Sequence, residues 1–284
     1  MARIIDGLKI SCDFNLAIRD RVKDLRKSGV VPKLVTITIG ENEKSALFSA
    51  KRNELARFTG IEVLNYNLDI RTKLSELKEL ILPLNDDKSV HAIFLRTSNL
   101  KDLSFRDAIN LVSPDKDVAG LTTLNQGRLF LGEPGMIPCA PLAVLHLLRI
   151  VHENLAGMRA VVLGRSSSVG RPLTQLLLNA NCTVTSLHSY SKDIENVCRT
   201  ADILVSAMGN PKFITRRFVK EGATVIDVGL NHLTDRKDGS QTVGDVDFED
   251  VVGVAGAITP VPGGVAPMTA SYLLHNTLKL ACCS

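Results

Sequence analysis

The chain has 284 residues, of which 45% are hydrophobic, with no tryptophan and a formal net charge of +4. Such a length suits one large or two modest domains with enough apolar content for a core. No lysine/arginine run argues for nucleic acid, no apolar stretch is long enough to span a bilayer, and MARIIDGLKI is too short and interrupted for a signal peptide. The expectation is a cytoplasmic protein with neither a nucleic-acid nor a membrane partner.

Residues 1–29 read as a short extended start followed by an amphipathic helix, with Phe14, Ile18, Val22 and Leu25 at helical spacing. Strands are expected at 34–39, 61–68 and 90–96, with helices at 44–58 and 73–84 between them. This β-α-β-α-β alternation argues for a parallel sheet covered by helices. The segments SPDKDVAGLTTLNQGRL and GEPGMIPCAP, dense in Pro and Gly, read as loop-rich: a domain joint or a functional loop. A second α/β series follows, with strands near 160–163, 183–187, 203–207 and 224–228, and a last helix at 268–281. Two α/β domains with a cleft between them follow: 1–140, completed by 268–284, and a Rossmann domain at 141–267.

The clearest chemical signal is AVVLGRSSSVGRP, residues 160–172. An uninterrupted run of β-branched and small residues suits a strand buried on both faces; Gly164 ends it, and a helix with an early proline follows. The strand–glycine–helix order leaves backbone N–H groups at a helix N-terminus, a place that favours an anion, with phosphate the obvious candidate. In the dinucleotide fingerprint, the middle glycine is replaced by Ser166 between Gly164 and Gly170. From the turn alone, a cofactor site and an ordinary strand-to-helix turn stand about even. The next strand ends at His188-Ser189 with no acidic residue for a ribose hydroxyl, whereas Ser189 and Arg165 both donate; this favours NADP over NAD. The glycines of SAMGNP and IDVGLN sit just past strand ends, where open parallel sheets contact ligands.

Six cysteines, Cys12, Cys139, Cys182, Cys198, Cys282 and Cys283, show no metal-like spacing, and the histidines share no ligand pattern. Reduced thiols and no metal are expected.

Taken in order, the glycine turn, PVPGGVAPMT, DVGLN, VGDVDFED and SPDKDVAG make the chain resemble the bifunctional methylenetetrahydrofolate dehydrogenase/methenyltetrahydrofolate cyclohydrolase family over essentially its whole length. The resemblance implies a catalytic domain, an NADP-binding Rossmann domain, a folate in the cleft between them, and a dimer. It places Gly164, Arg165, Ser166, Val169, Gly170, Ser189, Ala207, Gly209 and Gly229 at cofactor-contacting positions.

The folate side departs from that pattern. On the helix SALFSAKRN the family's serine, tyrosine and lysine positions hold Ser45, Phe48 and Arg52. Lys51 does not stand in for the lysine, because adjacent helical residues point about 100° apart. The family lysine implies proton transfer at the bridge carbon; a guanidinium stays protonated and cannot serve as a base, and Phe48 lacks the hydroxyl. Gln-Leu-Pro after the third strand becomes Arg96-Thr97-Ser98, and the aspartate implied to hold the pterin ring becomes Ala119. Pro262, Gly263 and Gly264 are retained on the substrate side, while Ala266 replaces a glycine. The cleft therefore gains about two positive charges over the family pattern. The expectation is an NADP-dependent methylenetetrahydrofolate dehydrogenase with weak or lost cyclohydrolase activity. The alternatives are an enzyme of the same fold acting on a more anionic one-carbon or iminium-like substrate, and a non-catalytic NADP-binding paralogue.

Overall fold

The computed structural model describes residues 2–40, 43–97, 103–235 and 239–283; the side chains of 43–48, 234–235 and 239–240 also lie outside the description. In chain order the elements begin with β1 (Arg3–Ile4), α1 (Gly7–Lys27), β2 (Lys33–Ile39), α2 (Glu43–Thr59), β3 (Glu62–Leu68), α3 (Leu74–Asp86) and β4 (Ala92–Thr97). Next come α4 (Phe105–Ile109), α5 (Thr123–Leu131), α6 (Cys139–Val151), β5 (Arg159–Leu163), α7 (Gly170–Asn179), β6 (Thr183–Leu187), α8 (Ile194–Cys198) and β7 (Ile203–Ser206). The chain closes with β8 (Thr224–Asp227), β9 (Asn231–Asp235), β10 (Gly239–Val243), α9 (Phe248–Val251), β11 (Ala257–Ile258) and α10 (Val265–Ala281).

Two compact units result, Met1–Ser11 with Ala140–Thr269, and Cys12–Cys139 with Ala270–Ser284. The first eleven residues, expected with the N-terminal domain, instead join the unit formed by Ala140–Thr269, the nucleotide-type unit of the sequence reading. The reason is β1, whose Arg3 and Ile4 pair in parallel with Ala257 and Ile258 of β11.

The unit formed by Cys12–Cys139 and Ala270–Ser284 holds a three-stranded parallel sheet in the order β3-β2-β4. Period-two alternation gives β2 two different faces. Val35, Ile37 and Ile39 pack with Ile93 and Leu95 against Leu77 and Ile81 of α3. On the other face Leu34 and Ala92 pack with Ile18 and Val22 of α1, Ala56 of α2 and Leu273, Leu274 and Leu278 of α10. The same face turns polar towards the strands' carboxyl ends, where Thr36 and Thr38 register with Asn65 and Asn67 on one side and with Phe94 and Arg96 on the other. Ligands of parallel α/β sheets bind at carboxyl ends.

The unit containing Ala140–Thr269 has a six-stranded sheet in the order β1-β11-β8-β7-β5-β6, parallel throughout. Its central strands read as continuous apolar runs because both faces are covered, and Ile203–Ser206 and Thr224–Asp227 are buried along their whole length.

Three features differ from expectation. Helix α5 lies within the stretch read as loop; Thr122 caps it by accepting from the Asn125 N–H, and Gly132 ends it at φ 75°. These local caps outweigh the surrounding Pro and Gly. An antiparallel hairpin, β9–β10, follows β8. Helix α10 begins three residues before the expected 268, with Pro267 in its first turn, where a missing N–H breaks no bond.

Candidate active site

In the nucleotide-type unit, Gly164 follows β5 at φ 113°, and a Cβ there would meet the Ala207 carbonyl oxygen at 2.3 Å. Gly170 opens α7 so close to this turn that its Cβ would meet the Gly164 oxygen at 2.1 Å. Both glycines are therefore required by chain packing, which brings the ends of β5 and β7 together. The expectation of free amides at the start of α7 needs correction. Ser166 Oγ accepts from the N–H groups of Val169 and Gly170 at 3.2 and 3.3 Å, and the Ser166 carbonyl accepts from Arg171. Among the described residues, nothing accepts from the N–H groups of Ser167 and Ser168, both exposed in the same turn. The amides open to an anion thus lie in the turn just before the helix, and the exposed Arg165 adds positive charge beside them. That chemistry fits a pyrophosphate-bearing dinucleotide.

Ser189 is exposed just past β6, in a tight loop where His188 N–H donates to Ser191 Oγ at 3.0 Å and Tyr190 N–H to His188 Nδ1 at 3.2 Å. Ala207 and Gly209 lie on the loop after β7, Gly209 at φ 70°. Gly229 is buried, and its missing side chain makes room for Asp245, whose Oδ1 a Cβ would meet at 2.3 Å.

Asp245 is a residue that sequence reasoning missed. It is fully buried. Its Oδ2 accepts from Ser206 Oγ, Met208 N and Gly209 N at 3.1, 2.7 and 3.1 Å. Its Oδ1 accepts from Asn210 N and Asn231 Nδ2, both at 2.9 Å. One carboxylate therefore shapes the whole loop after β7. Beneath it Asp227 accepts from the N–H groups of Gly229, Asp245 and Val246. Burial pushes the Asp227 carboxyl up to about 6, and the charge of Asp245 pushes the same way against those three donors. The signal was the pair of acids in DVGLN and VGDVDFED, set among small apolar residues.

In the other unit Arg52 projects from α2 onto the polar end of the sheet and is 2% exposed. Its Nη2 donates to Asn65 Oδ1 at 3.0 Å and Thr36 Oγ1 at 3.3 Å, with Asn53 Oδ1 at 3.4 Å. Thr36 Oγ1 itself donates to Asn65 Oδ1 at 2.7 Å, closing a triangle. The guanidinium carbon lies 5.9 Å from the centroid of the Phe94 ring. A hollow of about 390 Å³ flanks the cluster, lined by Ala50, Asn53, Arg57, Ile61, Val63 and Asn65. Lys51 is exposed, on a different side of the helix from Arg52.

Arg96 and Thr97 end β4, half-buried. Ser45 and Phe48 lie on the first turns of α2, where side chains are outside the described residues, as is all of Ser98. Ala119 is 5% exposed, in a loop braced by its neighbours. Asp117 Oδ2 accepts from Thr122 N and Asn125 Nδ2, and Lys116 Nζ donates to the carbonyls of Leu84 and Asp87. Pro262, Gly263 and Gly264 belong to the nucleotide-type unit. Gly263 accepts from Leu8 N, and a side chain on Gly7 would strike the Gly264 oxygen. No group of metal-ligating residues occurs among the described residues.

A doubly wound parallel sheet with a glycine turn, an exposed arginine and a carboxylate-pinned strand-end loop defines a dinucleotide-binding α/β protein, here joined to a second α/β unit. The chain belongs to the tetrahydrofolate dehydrogenase/cyclohydrolase family: residues 5–119 match its catalytic domain and residues 138–284 its NAD(P)-binding domain. It is 44% identical to the bifunctional protein FolD of Rhodospirillum centenum over 99% of this chain and 95% of that one. Among solved structures, the bifunctional FolD enzyme of Campylobacter jejuni superposes with a TM-score of 0.95 at 36% identity, covering 99% of both chains. The Trypanosoma brucei methylenetetrahydrofolate dehydrogenase-cyclohydrolase, complexed with NADP and an inhibitor, gives 0.94 at 33% identity, covering 99% of this chain and 97% of that one.

Proposed function

We propose that the protein is an NADP-dependent methylenetetrahydrofolate dehydrogenase whose cyclohydrolase step is weak. The observation that carries this reading is the setting of Arg52, at the position where the family resemblance puts a lysine. A lysine so placed exchanges its proton when burial or a nearby cation lowers its pKa; a guanidinium does not. Thr36 and Asn65 accept from Arg52 Nη2 through neutral oxygens, which orients the cation. Water addition to a methenyl carbon needs a group that takes a proton from the attacking water. Hydride transfer needs mainly that donor and acceptor carbons be held close, and makes no such demand.

When bound, the nicotinamide supplies the hydride acceptor. The chain's own contribution would be to hold the dinucleotide: the N–H groups of Ser167 and Ser168 would donate to its phosphates and Arg165 and Ser189 to its adenosine end, while the loop pinned by Asp245 carries Ala207 and Gly209. On the substrate side, Ala119 in place of the family aspartate removes an acceptor for the pterin N–H groups, at a cost of about 1–3 kcal/mol. Folate affinity is therefore lower than in relatives that keep the acid.

The test follows NADPH absorbance in the purified chain with methylenetetrahydrofolate. Folate-dependent reduction of NADP is expected, with the R52K/A119D double variant gaining hydrolysis of the methenyl compound. No folate-dependent reduction, together with intact NADP binding, would overturn the reading. It would favour the more anionic substrate suggested by Arg52 and Arg96 on one sheet face.

A further inference from the structure

We propose that Tyr190 is a positioning residue for cofactor choice: its ring props the Arg165 guanidinium where a 2′-phosphate on the adenosine ribose is recognised. The inference rests on the reading of this unit as an NADP site and names a residue that the reading does not assign. Arg165 and Tyr190 come from the turns after β5 and β6, neighbouring parallel strands whose Leu163 and Leu187 are in register. The guanidinium carbon stands 5.8 Å from the centroid of the Tyr190 ring, within cation–π reach.

Tyr190 is 81% exposed, yet its backbone is fixed. Its N–H donates to His188 Nδ1, and the loop is closed by His188 N–H on Ser191 Oγ and Ser191 N–H on the His188 carbonyl. An aromatic ring held open to water on a pinned loop buries little apolar area, so hydrophobic packing does not account for its placement. The His188 ring, 6.2 Å away and edge-on, limits its sweep on one side.

Among the described residues no carboxylate pairs with Arg165. The acids that follow in the chain are engaged elsewhere, Asp193 by Asn196 Nδ2 at 2.7 Å and Glu195 by Arg217 at 3.1 Å. An exposed arginine normally samples many rotamers and pays for that freedom when it binds. Contact with a ring carried on a pinned backbone narrows the set in advance, so less is lost when two N–H groups meet a phosphate dianion. Ser189, beside Tyr190 in the chain, adds an exposed hydroxyl donor on the same loop. A ligand without the 2′-phosphate has nothing for the oriented guanidinium to grip.

Calorimetric titration of the full chain with adenosine 2′,5′-bisphosphate and with adenosine 5′-monophosphate tests this, because the ratio of the two affinities isolates the 2′-phosphate from any stacking on adenine. The wild type is expected to prefer the bisphosphate, Y190F to keep that ratio, and Y190A to lose about two- to fivefold of it, the size of an exposed cation–π contact. An unchanged ratio in Y190A, or an equal fall in Y190F, overturns the role of the ring while leaving the NADP reading in place. A wild type that binds neither ligand, or shows no preference, removes that reading and this inference together.

Discussion

Asp245 carries an unusual share of the nucleotide-type unit, and D245N measures it. Five donors converge on its two oxygens, three on Oδ2 and two on Oδ1. Asparagine keeps one acceptor oxygen and turns the other position into an NH2 group. Its best orientation leaves the oxygen towards Ser206, Met208 and Gly209 and points the NH2 at two donors. Asn231 can rotate its amide in response, but the backbone N–H of Asn210 cannot. Losing the Asn210 bond to a charged acceptor gives a destabilisation of about 1.5–3 kcal/mol. That is a sizeable part of the 5–15 kcal/mol typical of a folded domain. Urea titration followed by circular dichroism reads it as a fall in midpoint at unchanged slope. NADP affinity should drop in step, since the displaced loop carries Gly209. A loss below about 1 kcal/mol would refute the idea that one buried carboxylate organises this loop.

Three other outcomes follow from the structure. Asp227 is held at about 6, above its ordinary 3.8, so the folded chain binds this proton more tightly than the unfolded one; the resulting stability is complete below about pH 3.8 and lost as pH rises through about 6. Relative to D227N, the wild type should therefore lose up to about 3 kcal/mol between pH 4 and 7 in urea titrations, and parallel curves would contradict this. With a thiol reagent at pH 8, Cys12, Cys282 and Cys283 are expected to react at once. Cys139, Cys182 and Cys198 should wait for unfolding, because they are buried and burial pushes the Cys139 and Cys198 thiols up to about 12. G164A should unfold at markedly lower temperature and lose NADP binding, since its Cβ would meet a backbone oxygen at 2.3 Å on a left-handed residue; a melting temperature within a degree or two of wild type would contradict it.

Most strands are legible because their periodicity is local. Residues 160–163 announce a strand covered on both faces, and each is buried in β5. Helix α5 is not legible from composition, since its start depends on a single Thr122 hydroxyl and its end on one left-handed glycine. The turn at Gly164 shows in the sequence because the glycines that shape it lie within seven residues. The setting of Arg52 does not, because Thr36 and Asn65 meet it only through the register of β2 with β3. Asp245 escapes for the same reason, contacting a loop 35–39 residues earlier.

A fixed cation at Arg52 leaves hydride transfer possible and makes water addition slow. The most direct measurement is the one-carbon product released during turnover with methylenetetrahydrofolate and NADP, resolved by chromatography against NADPH formed. The methenyl compound is expected to accumulate nearly one for one with NADPH, with the formyl compound appearing much more slowly. Formyl product rising in step with NADPH would contradict it.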